Sequence, residues 1–210
     1  MDSVSTRPSY ELAFSFPPGW IQLPVLDGRK VLERDKDLET WSAEKARTML
    51  GPGAGAGQLQ QRAAELTRLT IGSRARHALY GLAFYPPGAS GLVAILDAKR
   101  VVPDRKKYPE LTLGALAEVY AARTPQTAGD IDASQASLPS GPAVRVRSRQ
   151  VEDPDGNGQG ILTEGVTHAI LPPGTGDSVV VTMTWTALQL GDKLAAMADA
   201  IAKTIRVTPA

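Results

Sequence analysis

The segment from Asp153 to Glu164 carries the sharpest chemical pattern in this chain. It begins Asp-Pro-Asp-Gly-Asn-Gly and places a glutamate at its twelfth position. Helix–loop–helix calcium sites use oxygen ligands at the first, third, fifth and twelfth positions, with a glycine at the sixth. The candidate metal ligands are therefore Asp153, Asp155, Asn157 and Glu164.

A hairpin turn explains the same segment without a metal. Calcium loops of this type lie between two helices, whereas the residues on both sides alternate between apolar and polar types as strands do. The eighth position is Gly160, where these loops usually carry an apolar residue. Asp, Asn and Gly are also the residues that tight turns prefer. The sequence favours the turn and leaves the calcium site open.

Three arginines alternate along the strand that precedes this turn. Arg145, Arg147 and Arg149 are predicted to lie on one face, and the valines between them on the other. Such a stripe could dock an acidic partner protein. The alternatives are a solvated outer face or cross-strand pairing with acidic neighbours such as Glu164.

Trp41 is a further candidate for partner binding. It lies in a charged segment with helical spacing, where an exposed tryptophan would be an anchor for another protein. Burial in the core is the alternative, as we expect for Trp20 and Trp185.

Patterns typical of enzymes are lacking in the sequence. The chain has only two histidines, His77 and His168, no cysteine and no Gly-x-Ser-x-Gly turn. The glycine run over 51–57 matches a loose dinucleotide pattern, but it follows a predicted helix rather than a strand, so it is interpreted as a flexible tether. We therefore predict a protein that is not an enzyme and holds no cofactor. A catalytic set that the chain order hides stays an alternative.

Charge and hydropathy restrict the partners. Lys and Arg total 23 against 22 Asp and Glu, so a net charge of +1 gives no electrostatic reason to bind nucleic acid or an anionic membrane. No basic segment leads into an apolar run at the N-terminus, and no apolar stretch is long enough for a bilayer. The expected location is the cytoplasm, and an exported form whose leader has been removed stays open.

The elements that must position these residues follow from periodicity. The sequence predicts one α+β domain over 1–210, with a helical insert at about 29–71 that contains the tether. The predicted strands are Tyr10–Phe16, a short second piece Ile21–Pro24 after the turn, Leu79–Tyr85, Leu92–Val102, Ile131–Leu138, Val144–Val151, Ile161–Leu171 and Ser178–Ala187. Outside the insert, the predicted helices are Leu111–Ala122 and Gly191–Ile205.

Both ends of the chain resemble the PsbP-like (Mog-type) fold. The similar segments are Phe14–Trp20 (Phe-Ser-Phe-Pro-Pro-Gly-Trp), the strand Val179–Trp185 and the end of the last helix, Ile201–Arg206. The resemblance implies an antiparallel sheet with helices on both faces, an α/β/α sandwich, to which this chain adds the helical insert. It also implies a protein without catalytic residues, because members include photosystem accessory subunits, a Ran-binding factor, envelope lipoproteins and chaperones of secreted effectors.

The predicted function is therefore to bind another protein, as an accessory factor or a chaperone-like protein of a secretion or assembly system. A small-molecule or lipid-binding envelope protein is the second hypothesis, and an enzyme with a hidden site is the third. The sequence does not indicate the oligomeric state.

Overall fold

The computed structural model describes residues 10–25, 34–87, 89, 91–108, 110–152 and 160–209. The helices are α1 Arg34–Leu50, α2 Ala56–Ala75, α3 Leu113–Tyr120 and α4 Gly191–Thr204. The strands are β1 Tyr10–Ala13, β2 Trp20–Leu23, β3 Tyr80–Phe84, β4 Ala94–Val101, β5 Thr127–Leu138, β6 Gly141–Glu152, β7 Ile161–Ile170, β8 Ser178–Trp185 and β9 Arg206–Pro209.

Seven of these strands form one antiparallel sheet in the order β2-β3-β4-β8-β7-β6-β5. Short connections join β3 to β4, β5 to β6 and β7 to β8, and the two strands of each pair are neighbours in the sheet. Helices lie on both faces of the sheet, and the predicted α+β class is confirmed.

Helix α4 covers one face of the sheet, which we call the α4 face. Its apolar residues recur at helical spacing and are nearly inaccessible to solvent: Leu194, Ala198, Ile201 and Ile205. They pack on inward-facing strand residues such as Leu96 and Met183. Trp20 and Trp185 are buried on this face, as the sequence predicts, and Trp20 stacks on Phe84 with ring centroids 4.9 Å apart.

Two helices share the opposite face, which we call the α2–α3 face. Helix α2 buries Leu66 and Leu69 against β2 and β3, while α3 buries Leu116 against the residues of β6 and β7 that include Val144. The two apolar clusters are separate. Among the described helices, none therefore covers the part of the sheet between α2 and α3 on this face.

Helices α1 and α2 lie between two strands that pair directly with each other. Trp20 is opposite Phe84 and Leu23 is opposite Gly81 in the β2–β3 register. Helix α2 begins at Ala56, so the last two residues of the predicted tether are helical. The Gln58 side chain accepts a hydrogen bond from the Gly55 amide at 3.1 Å, which caps the helix start.

The chain ends pair with each other and not with the main sheet. Strand β1 lies antiparallel to β9, with Leu12 opposite Val207. The sequence placed its first strand over Tyr10–Phe16 and ended its last element in a helix, so it missed β9. Four residues are too few to show an alternating pattern. The Tyr80 hydroxyl donates to the Leu12 carbonyl at 2.8 Å and connects this small sheet to β3.

Among the helices of the described residues, none combines the length and apolar character that crossing a bilayer requires.

Candidate functional site

The arginines of β6 lie on the α4 face, and α4 supplies part of their pairing. Arg147 lies 2.9 Å from the Glu164 carboxylate and 2.8 Å from that of Asp192. Arg145 donates from Nε to Asp199 at 2.8 Å, and its Nη1 lies 3.3 Å from Asp132. These contacts agree with the cross-strand alternative. Docking of an acidic partner stays a prediction, and Arg149, whose side chain is 52% exposed, is the member best placed for it.

Glu164 accepts hydrogen bonds at the centre of this group of charged side chains. Its side chain is 3% exposed and accepts hydrogen bonds from Arg147 Nε at 3.0 Å and from Trp185 Nε1 at 3.2 Å. Helix α4 starts next to this carboxylate. A Cβ atom at Gly191, its first residue, would collide with the Glu164 side chain. A side chain at this position would displace the Glu164 carboxylate from its present contacts. The negative charge also lies near the N-terminus of α4, where the helix dipole favours it.

The calcium hypothesis is not tested by this arrangement. Glu164 lies within β7 and its carboxylate already has the partners above, while Asp153, Asp155 and Asn157 lie outside the described residues. Within the described part of the chain, no group of three or more His, Asp or Glu side chains could hold a metal ion.

His168 and Asp199 form the acid–base pair nearest to a catalytic type. His168 Nε2 lies 3.0 Å from Asp199 Oδ1, and Arg145 contacts the same carboxylate. Burial lowers the pKa of His168, although Asp199 opposes the shift. The imidazole is 2% exposed. A substrate in solvent therefore has no direct access to it.

An open groove lies on the other side of the sheet, next to α2. Its volume is about 380 Å³. One wall is formed by a single face of α2 and its C-terminal end, where Arg68, Gly72 and Arg76 recur every four residues. The groove is lined by Arg68, Leu69, Gly72, Arg76, Leu92, Val93, Ala94, Ile95, Glu152, Ile161, Thr163, Thr184, Trp185 and Thr186.

The floor of the groove consists of small and β-branched residues from neighbouring strands. Ile95, Thr184 and Gly165 are aligned across β4, β8 and β7 by their register. A Cβ atom at Gly165 would lie 2.9 Å from the Met183 carbonyl oxygen and 3.0 Å from the Thr184 methyl group. A glycine within a strand often marks a close approach of backbone or ligand. Because Gly165 has no side chain, the groove is deeper at this point.

Charged side chains lie at the edges of the groove. Arg76 Nε lies 2.5 Å from Asp97 Oδ2, and the guanidinium reaches it by lying across Gly72, where a Cβ atom would be 3.3 Å from Nη1. The other oxygen of Asp97 is buried without a hydrogen-bond partner among the described residues. Arg68 is exposed on the same helix, and Glu152 lies on the side of the groove formed by the β6–β7 hairpin.

The α2 wall is held in place at both ends. Near its start, the Tyr85 hydroxyl donates to Glu65 at 3.0 Å, and the Arg62 guanidinium lies 4.6 Å above the Tyr85 ring. Burial and the neighbouring Glu65 raise the pKa of Tyr85, which therefore stays protonated. Near its end, Ser73 lies so close to Gly81 that a Cβ atom there would be 2.9 Å from the Ser73 hydroxyl. The groove is thus largely formed before a ligand enters.

Trp41 does not line this groove. It is half-buried and packs against the apolar cluster between α2 and the sheet. Its role as a partner-binding anchor stays a prediction. On the outer side of α1 and α2, a shallow depression of about 680 Å³ includes Ile71, which is 54% exposed.

The groove residues were missed from the sequence because they form no linear motif. Arg68 lies on α2 and Arg76 follows its last residue, while Thr163 and Thr184 come from two different strands. The available signal was the even spacing of threonines on the strands β7 and β8, at 163, 167, 182 and 184. Half-exposed threonines at every second position indicate a strand face without a complete apolar cover.

The comparisons with known proteins define the fold more than the function. No protein-family model matches the chain, and no curated protein matches it in sequence. Among solved structures, it is similar to LpqN, described as involved in cell envelope biogenesis of Mycobacterium tuberculosis. The TM-score is 0.52 and the identity is 12%, over 98% of this chain and 88% of that one. This likeness concerns the fold alone, and the PsbP-like resemblance stays a prediction.

Proposed function

We propose that this protein is a non-enzymatic binding protein, whose groove beside α2 takes an extended segment of another polypeptide. The contrast between the two faces carries the proposal. His168, which pairs with Asp199, is buried under α4, whereas the groove is open and contacts at both ends hold its α2 wall in place. A preformed concave site binds with little loss of conformational entropy.

The lining of the groove suits an extended chain. Leu69, Leu92, Ile95 and Ile161 supply apolar contacts. The hydroxyls of Thr184 and Thr186 offer hydrogen bonds to a peptide backbone, whereas that of Thr163 already donates to the Gln150 carbonyl at 3.2 Å. Arg68 on the α2 side and Glu152 on the hairpin side give the groove opposite charges at its two edges. We therefore expect a partner segment of apolar residues with an acidic side chain near α2.

The likeness to LpqN supports an accessory role. LpqN is described as involved in cell envelope biogenesis, and an accessory role at an envelope is consistent with that description. A chaperone of a secretion or assembly system is the finer form of this hypothesis. The cytoplasm stays the predicted location, and an exported form is the alternative that this neighbour leaves open.

A peptide selection tests the groove as the binding site. Random short peptides displayed on phage are selected on the wild-type protein, and their affinities are measured by fluorescence polarisation. Thr184→Trp fills the groove floor, whereas Gln60→Trp adds the same ring to the exposed outer face of α2. We expect Thr184→Trp to weaken binding at least about tenfold and Gln60→Trp to leave it unchanged. Binders that Thr184→Trp leaves unaffected, or no binders at all, would overturn the proposal.

A small apolar ligand is the second candidate, because about 380 Å³ lies within the range of small-molecule pockets. Dodecanoate is a suitable probe, since its chain matches the apolar lining and its carboxylate matches Arg68. Saturable binding of dodecanoate by calorimetry, lost in Thr184→Trp and accompanied by no peptide binders, would favour this candidate over the first.

A further inference from the structure

The two edges of the main sheet are protected to very different degrees. Strand β2 is four residues long, with prolines at positions 17, 18 and 24 around it. Strand β5 is twelve residues long and has no proline within it. An edge strand presents unpaired backbone N–H and C=O groups, so a long and regular edge is a ready template for another strand.

Only the first part of β5 carries devices that prevent such pairing. Its register with β6 shifts between Ala128 and Asp132, and Gly129 has a φ of +73°. Asp130 and Asp132 add negative charge to this part. Bulges and charged residues both discourage edge-to-edge association.

The second part of β5, residues 133–138, has none of these devices. It reads Ala-Ser-Gln-Ala-Ser-Leu, and its register with β6 is regular. The residues from Ala133 to Gln135 are exposed, so neither α3 nor α4 covers the approach to this edge. Small side chains on both faces leave room for a strand alongside.

We propose that residues 133–137 pair antiparallel with the same segment of a second copy of this chain, which makes the two sheets continuous across a two-fold axis. An axis at Gln135 places Ala133 of one copy opposite Ser137 of the other. It also places Asp132 opposite Leu138, so the aspartates of the two copies never face each other. Arg145 lies 3.3 Å from Asp132 within each copy and offsets its charge.

Self-pairing fits this edge better than a foreign strand does. The segment has no charge and no large apolar side chain in its middle, so it offers nothing that would select an unrelated sequence. Two identical copies supply matching backbone donors and acceptors by symmetry. A five-residue pairing is smaller than a standard protein interface, so we expect a reversible dimer whose population depends on concentration.

Disulfide trapping tests the contact directly, because the chain has 0 cysteines. Gln135→Cys puts one thiol near the proposed axis, and Gln22→Cys puts one on the exposed edge strand β2 as the matched control. Under mild oxidation we expect the first variant to form covalent dimers at least about tenfold faster than the second. Equal rates would overturn the proposal.

Sedimentation equilibrium tests the register. Ala133→Lys with Ser137→Lys would place like charges opposite each other across the axis and abolish the dimer, whereas Ala133→Lys with Ser137→Glu would pair opposite charges and preserve it. Ala196→Lys adds a charge on the exposed side of α4 and should have no effect. A wild-type protein that remains monomeric to about 1 mM, or a dimer insensitive to both double variants, would contradict the proposal.

Discussion

The two faces of this sheet are built from the same strands but use their polar residues in opposite ways. On the α4 face, β7 contributes Glu164 and His168, and both are buried in ion pairs or hydrogen bonds beneath a helix. On the α2–α3 face, the same strand contributes Thr163 and Gly165 to an open groove or its floor. The strands present polar groups on both faces of the sheet. The positions of the helices therefore decide which of these groups are buried.

The largest expected effect concerns the apolar part of the closed face. Ile201 on α4 is 1% exposed, so Ile201→Ala leaves a cavity and should lower the free energy of unfolding by about 3 kcal/mol. Urea denaturation followed by circular dichroism measures the loss. Ile71→Ala on the exposed side of α2 is the control and should change stability by less than about 0.5 kcal/mol. Equal losses of unfolding free energy would mean that Ile201 on α4 is packed no more tightly than Ile71 on α2.

Loss of the ion pairs on the same face should destabilise the protein nearly as much. Arg147→Met removes the main partner of a carboxylate that is 3% exposed, and we expect a loss of about 2 kcal/mol. The value lies below that of a fully buried pair because Arg147 itself is 26% exposed. Arg149→Met, whose contact with Glu164 is longer at 3.5 Å, should cost about 0.5 kcal/mol. The same urea titrations compare the two variants, and similar losses would contradict the assignment.

His168 should make the closed face sensitive to acid. Its pKa is lowered in the folded state, so the unfolded chain binds a proton first as the pH falls below 6.5. The stability contributed by neutral His168 is therefore complete above this pH and declines as the pH falls through the folded-state pKa. Unfolding free energies at about pH 7.5 and about pH 5.5 should differ less in His168→Gln than in the wild type. An identical difference in both proteins would exclude this role.

The smallest effect is expected on the open face. Thr184 is half-buried on the groove floor, so Thr184→Val should change stability by less than about 0.5 kcal/mol. Differential scanning calorimetry of the two proteins provides the comparison. A loss above about 1.5 kcal/mol would mean that the hydroxyl is enclosed and hydrogen-bonded, and that the groove is closed in solution.

Much of the framework was predictable because its elements have clear periods. The last helix was predicted as Gly191–Ile205 and found as Gly191–Thr204, since its apolar residues recur at helical spacing. The strand predicted as Ile161–Leu171 was found as Ile161–Ile170. Alternation also placed the three arginines of β6 on one face and named Glu164 among their possible partners.

The sites were less predictable because they depend on distances between elements. His168 and Asp199 lie on a strand and a helix with no shared motif, and only the position of α4 above the sheet brings them to 3.0 Å. The groove exists because α2 and α3 dock on different strands, a spacing that no local pattern records. The pairing of β1 with β9 joins residues at opposite ends of the chain.

The direct register of Leu23 with Gly81 has a consequence for how this protein can diversify. The chain departs from the sheet and comes back at adjacent positions, so the excursion carrying α1 and α2 is closed at its base like a stem with a loop. Its length can change at small entropic cost without shifting any strand that follows. New wall residues, and with them new ligands, can therefore arise there while the scaffold is inherited unchanged.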